Sequence, residues 1–157
     1  MKKFFMKKMV DHAILPTQAE GDVGFDMYSA VNIELKKGKT TPISTGLMIA
    51  DYKSFFISKN DYTETYIDYF PKLETRSSMA IKGLFTVGGI IDPTYRGELK
   101  VLIYNSNDFD YEVKAGDKIA QFILYTALAT PEIEIEESLD VSSTERGSKG
   151  FGSTGKR

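Results

Sequence analysis

The chain has 157 residues, of which 41% are hydrophobic, and 20 basic against 22 acidic side chains give a net charge of −2. That is the length of one domain with enough apolar material for a real core. The near-balance of charge gives no global attraction to nucleic acid or to an acidic membrane, so any anionic ligand must be held by a local basic cluster. With no cysteine and a single histidine, His12, the composition excludes disulfides, thiolate nucleophiles, Cys-ligated zinc and multi-His metal centres.

The first ten residues begin like the basic region of a signal peptide, but Lys7, Lys8 and Asp11 interrupt the apolar run and no small-residue cleavage site follows. They read as an edge strand carrying charge. No stretch approaches the length of a membrane-spanning helix, and the absence of cysteine accords with a cytoplasmic location.

Short β-type runs then recur along the whole chain: Met9–Leu15, Val31–Leu35, Ile43–Ile49, Gly83–Ile91, Leu99–Tyr104, Lys118–Tyr125 and Glu132–Glu136. Only Ser77–Ile81 suggests a turn of helix. The pattern predicts an all-β sandwich or barrel of many short strands, with Gly38 and Gly46 as hairpin punctuation. In Glu20–Ala30, two glycines free the backbone to turn and place Asp26 near the start of a strand.

Residues 51–70 interleave Tyr52, Phe55, Phe56, Tyr62, Tyr66, Tyr69 and Phe70 with Lys and Asp. A stacking platform for nucleic acid needs a basic surround that this stretch lacks, so it reads as an aromatic hairpin packing on the body or on a neighbouring subunit.

Four further stretches carry chemistry. Glu74–Ala80 sets Arg76 beside Ser77 and Ser78, which suits either bidentate phosphate binding or a capped short helix with a surface Arg. Gly89–Gly97 contains Asp92-Pro93-Thr94-Tyr95, a type I turn signal flanked by two apolar runs. It predicts a β-hairpin with Asp92 and Tyr95 at its tip. In Gly116–Leu124 a turn feeds a buried strand in which Gln121 is the odd polar residue, either bracing the core or facing a ligand. The glycine-rich end, Arg146–Gly155, offers backbone amides and a guanidinium to phosphate, and Phe151 as a flat face for a base. It lacks the ending of a Walker loop.

In this order, Gly24–Ala30, Arg76–Ala80, Gly89–Gly97, Gly116–Gln121 and Arg146–Gly155 resemble the motif set of the trimeric dUTP pyrophosphatase (dUTPase) family, with Leu15-Pro16-Thr17 fitting its first strand. The resemblance implies a jelly-roll-like β-fold in a homotrimer with shared active sites, in which a domain of residues 1–145 is followed by a tail, residues 146–157, that closes over a neighbour's site. It implies hydrolysis of dUTP to dUMP and pyrophosphate, assisted by Mg²⁺. Asp92 would activate the attacking water, and Tyr95 would stack under the deoxyribose. Backbone groups around Gly89, Ile91 and Lys100 would read the uracil edge, which Phe151 would cover. Arg76, Ser77, Ser78, Gln121, Arg146, Ser153 and Thr154 would hold phosphates, and Asp26 would contact the metal through water. Lys149 and Val87 depart from the usual family pattern, and the 51–70 insertion lengthens the spacing before Arg76. Two alternatives accompany this reading: a dCTP deaminase-like relative, and a regulatory protein that uses the insertion as a partner-docking surface.

Overall fold

The computed structural model describes residues 4–51, 55–60, 63–92, 94–128, 136–137 and 142. Its strands are β1 (Phe5–Lys8), β2 (Phe25–Tyr28), β3 (Ile33–Leu35), β4 (Thr40–Asp51), β5 (Phe55–Asn60), β6 (Thr63–Glu74), β7 (Leu84–Thr86), β8 (Glu98–Asn105), β9 (Tyr111–Val113) and β10 (Lys118–Leu128), with a single helical turn, α1 (Ser77–Ala80), between β6 and β7. They form two four-stranded sheets, β1-β4-β8-β7 and β2-β10-β6-β5, and a β3-β9 ribbon. All the pairings between these strands are antiparallel.

Alternation along β8 shows why the sheets pack. Leu99, Val101, Ile103 and Asn105 are buried while Lys100 and Tyr104 face outward. Met27, Leu73, Ile119 and Phe122 from one sheet join Ile43, Leu47, Ile49 and Val101 from the other in one cluster, each fully buried apolar side chain contributing about 1.5–3 kcal/mol. The polar member of this layer, Asn105, is satisfied: its amide donates to the carbonyls of Leu35 and Phe109, both at 2.9 Å, and its oxygen accepts from Asn107 N at 3.0 Å.

Several predicted elements shift. The edge strand is Phe5–Lys8, whereas Met9–Leu15 is not a strand: after Met9 N bonds Gly46 O at 2.8 Å, the chain turns at Asp11-His12, with Ala13 N on Val10 O at 3.1 Å. Gly46 is not a hairpin turn. It sits with φ +65° inside β4, where the β4–β8 register slips between Ser44 and Met48. β9 went unpredicted, and the expected strand Glu132–Glu136 lies outside the described residues except for Glu136. Within 51–70 the backbone forms the predicted hairpin, β5 pairing β6 from Asn60↔Thr63 to Phe55↔Ile67.

The largest difference concerns the Asp92 hairpin. β7 and β8 pair only from Leu84↔Asn105 to Thr86↔Ile103, extended by Val87 N to Leu102 O at 2.9 Å. From Gly88 the chain leaves that sheet and crosses to β6 of the other, where Leu73 N donates to Gly89 O at 2.8 Å and Ile91 N donates to Pro71 O at 3.0 Å. The result is a wide arm, residues 88–97, laid across both sheets rather than a narrow hairpin. The cause is visible at Gly89, where an added Cβ would stand 2.1 Å from the Leu73 carbonyl oxygen, so only glycine permits this approach.

Candidate active site

The predicted site residues fall into two groups. The first lies where β2, β10 and the start of α1 meet. Gln121 pairs with Asp26 on one side and Glu74 on the other, which brings the Asp26 carboxylate beside Arg76. Asp26 Oδ1 is 2.7 Å from Arg76 Nε, a charge contact in which the buried N–H is not aligned for a hydrogen bond, and its Oδ2 is 2.8 Å from Lys118 Nζ. Arg76 Nη1 donates to Ser78 Oγ at 3.2 Å and to the Lys118 carbonyl at 3.4 Å. Arg76, half-buried, is therefore pinned by three neighbours, while Ser77 and Ser78 stand exposed at the start of α1.

Lys118 was not singled out by the sequence, since only the register across β2 reveals that it shares a carboxylate with Arg76. Its hydrogen bond to Asp26 raises its pKa above the usual lysine value. Gln121 does not brace the core: it is half-exposed, and its amide makes no hydrogen bond among the described residues. Its side chain lies over Gly24, where a Cβ would come within 2.9 Å of Oε1.

The second group rides on the arm. Asp92 is exposed, and its carbonyl accepts Tyr95 N at 3.0 Å, closing the predicted turn; Pro93 lies outside the described residues. Tyr95 folds back so that its hydroxyl donates to Glu98 O at 3.1 Å and its ring covers Gly97, where a Cβ would meet the phenol oxygen at 2.2 Å. Glu98 is the second residue missed by the sequence reading. Its carboxylate accepts from Gly46 N at 3.0 Å and from Ser44 Oγ, filling the register gap in β4 and fixing the root of the arm. Lys100 points outward from β8, 3.7 Å from Glu98 Oε2. No hydrogen bond or ion pair joins Asp92 or Tyr95 to the Asp26–Arg76–Lys118 cluster. Arg146, Phe151, Ser153 and Thr154 lie outside the described residues.

Chemically, the first group can hold an anion by hydroxyls and a guanidinium, and the second presents a carboxylate to water on a braced loop. Among the described residues, no cluster of three or more His, Cys, Asp or Glu offers a protein-only metal cage, and no helix is long and apolar enough to cross a membrane.

The two packed antiparallel sheets place the chain in the class of jelly-roll-like β-proteins. A family model described as dUTPase matches residues 64–155. A deoxyuridine 5'-triphosphate nucleotidohydrolase of Paramecium bursaria Chlorella virus 1 is 34% identical over 157 residues, covering 99% of each chain. Among solved structures, a Staphylococcus bacteriophage 80alpha dUTPase with dUPNHPP matches with a TM-score of 0.79 at 22% identity over 99% of each chain. A dUTPase from phage phi11 of S. aureus, described with a structural Mg(II) ion, matches with a TM-score of 0.70 at 19% identity, over 90% of this chain and all of that one. The chain belongs to the dUTPase family.

Proposed function

We propose that this protein hydrolyses dUTP to dUMP and pyrophosphate in the cytoplasm. The observation that carries the reading is the family match over residues 64–155, a span that takes in Arg76, Ser77, Ser78, Lys118 and Gln121, the Asp92 arm and the Arg146–Gly155 tail.

In this reading Arg76, Ser77, Ser78 and Gln121 hold the phosphates, with Arg76 preset by Asp26 so that little side-chain freedom is lost on binding. Asp92 accepts a proton from the water that attacks the α-phosphorus. Its exposure on an arm fastened to β6 leaves it open to water yet fixed in position. Tyr95, held by its bond to Glu98 O and its seat on Gly97, underlies the deoxyribose and leaves no room for a 2′-hydroxyl. Main-chain groups at Gly89, Ile91 and Lys100 read the base. The tail, residues 146–157, closes the site, with Phe151 over the uracil and Arg146, Ser153 and Thr154 on the terminal phosphate.

The donor set fits Mg²⁺ carried by the substrate. Mg²⁺ is commonly bound by one or two carboxylates together with substrate phosphates, and Asp26 is the one carboxylate paired with Arg76. Asp26 would hold the ion through a water, and the bound ion would neutralise phosphate charge. Because no hydrogen bond or ion pair joins the base-bearing arm to the phosphate cluster within one chain, a homotrimer with sites shared between subunits accounts for how they meet.

Pyrophosphate release from dUTP, dTTP, dCTP and UTP, with and without Mg²⁺, tests the reading. Release selective for dUTP and dependent on Mg²⁺ is expected; equal release from dUTP and UTP, or ammonia from dCTP, refutes it. A second reading adds a regulatory partner. β5 gives the β2-β10-β6 sheet an extra edge strand, and the phage 80alpha relative is described as controlling transfer of virulence genes. Deleting residues 55–66 should then abolish partner binding while sparing dUTP turnover.

A further inference from the structure

A cleft of about 360 Å³ opens beside the phosphate cluster, lined in part by Arg76, Ser78, Lys82, Tyr111, Asp117 and Lys118. Its volume falls at the small end of ligand pockets. Arg76 and Lys118 already share the Asp26 carboxylate at its one end. Lys82 is different. Of the cleft's three cations, Lys82 is the one with no carboxylate partner among the described residues. Its ammonium instead donates to Tyr111 Oη at 3.1 Å and lies 5.7 Å from the centre of that ring.

Such a lysine is oriented without being neutralised. A neutral phenol oxygen orients the ammonium by a hydrogen bond while its charge stays available. Tyr111 accepts the lysine proton, which leaves its own O–H to donate into the cleft. The single lining carboxylate, Asp117, is turned to its own loop, where Oδ2 accepts Lys114 N at 2.9 Å. Ser78, on the same lining, adds a hydroxyl already in contact with Arg76.

We propose that this cleft is an anion subsite for a diphosphate group, with Lys82 and Tyr111 as its outer contacts and Ser78 as its link to the phosphate cluster. It rests on the reading that Arg76 and Ser78 face phosphate, and it gives the leaving pyrophosphate a station separate from the nucleoside monophosphate. The class of ligand follows from the lining: cationic and hydroxyl donors, a surface more polar than apolar, and space beyond what one phosphate group fills.

Isothermal titration of the full chain with inorganic pyrophosphate, with inorganic phosphate and with dUMP tests it, comparing wild type, Lys82→Gln and Tyr111→Phe. Lys82 is exposed, so Lys82→Gln should melt like the wild type. Loss of one charge-assisted contact at an exposed site is expected to weaken pyrophosphate about tenfold, with a smaller loss for Tyr111→Phe and dUMP binding unchanged. Inorganic phosphate should bind far more weakly than pyrophosphate. Equal pyrophosphate affinity in wild type and Lys82→Gln, or a parallel loss of dUMP binding, overturns the subsite. These titrations involve no turnover. A chain that fails to hydrolyse dUTP overturns the proposed function, whereas one that hydrolyses dUTP but shows no Lys82 dependence overturns the subsite alone.

Discussion

Placing one methyl group on Gly89 tests how the arm is held. The Cβ of Gly89→Ala would stand 2.1 Å from the Leu73 carbonyl oxygen, where real contacts are essentially never under 3.0 Å. The neighbour is main chain inside β6 and cannot rotate aside, so the arm must retreat by ~1 Å, enough to break the 2.8 Å bond from Leu73 N and to strain the 3.0 Å bond at Ile91 N. Losing one to two such bonds costs about 0.5–3 kcal/mol, and for a chain of this size each kcal/mol lowers the melting midpoint by about 2–4 °C. A fall of roughly 1–12 °C in differential scanning calorimetry is expected. Because Asp92 is three residues from the substitution, turnover of dUTP should fall further than stability alone explains, with activity measured well below the new midpoint. An unchanged midpoint together with unchanged turnover would show that the β6 contact does not position the arm.

Three other outcomes are expected. Asp92→Asn should lower dUTP turnover by roughly 10²–10⁴-fold while equilibrium binding of a non-hydrolysable analogue survives; near-normal steady-state rates would remove Asp92 as the base. Glu98→Ala leaves the buried Gly46 N–H without its acceptor, so chemical denaturation should show a loss of about 1–3 kcal/mol, and discrimination between dUTP and UTP should narrow as Tyr95 loosens. The raised pKa of Lys118 means that its bond to Asp26 contributes fully below the ordinary lysine value of 10.5 and fades only as pH climbs through the higher folded value. Wild type and Lys118→Gln should therefore differ by a constant melting interval from pH 7 to 9, and a difference that vanished within that window would contradict the pairing.

What the sequence revealed followed the reach of each signal. Short apolar runs exposed β8 and β10 because residues in both meet the core, and Ser77–Ile81 announced α1. The Asp92-Pro93-Thr94-Tyr95 turn was legible because turn chemistry is local. Flanking apolar runs then suggested a simple hairpin, yet Gly89 docks on Leu73, a contact sixteen positions away in the chain that no local pattern encodes. Lys118 and Glu98 escaped notice for the same reason. One acts through the register of β2 against β10 and the other fills an irregularity between β4 and β8, and both depend on how strands align rather than on neighbours in sequence.

The arm is hydrogen-bonded to β6 through amides and carbonyls at Gly89 and Ile91, the first a position where side chains are forbidden. Its anchorage is thus written in a chemistry that every residue shares, and exposed arm positions such as Ile90 and Thr94 can drift without moving the carboxylate between them. A lineage can rewrite much of that surface and keep Asp92 where it stands.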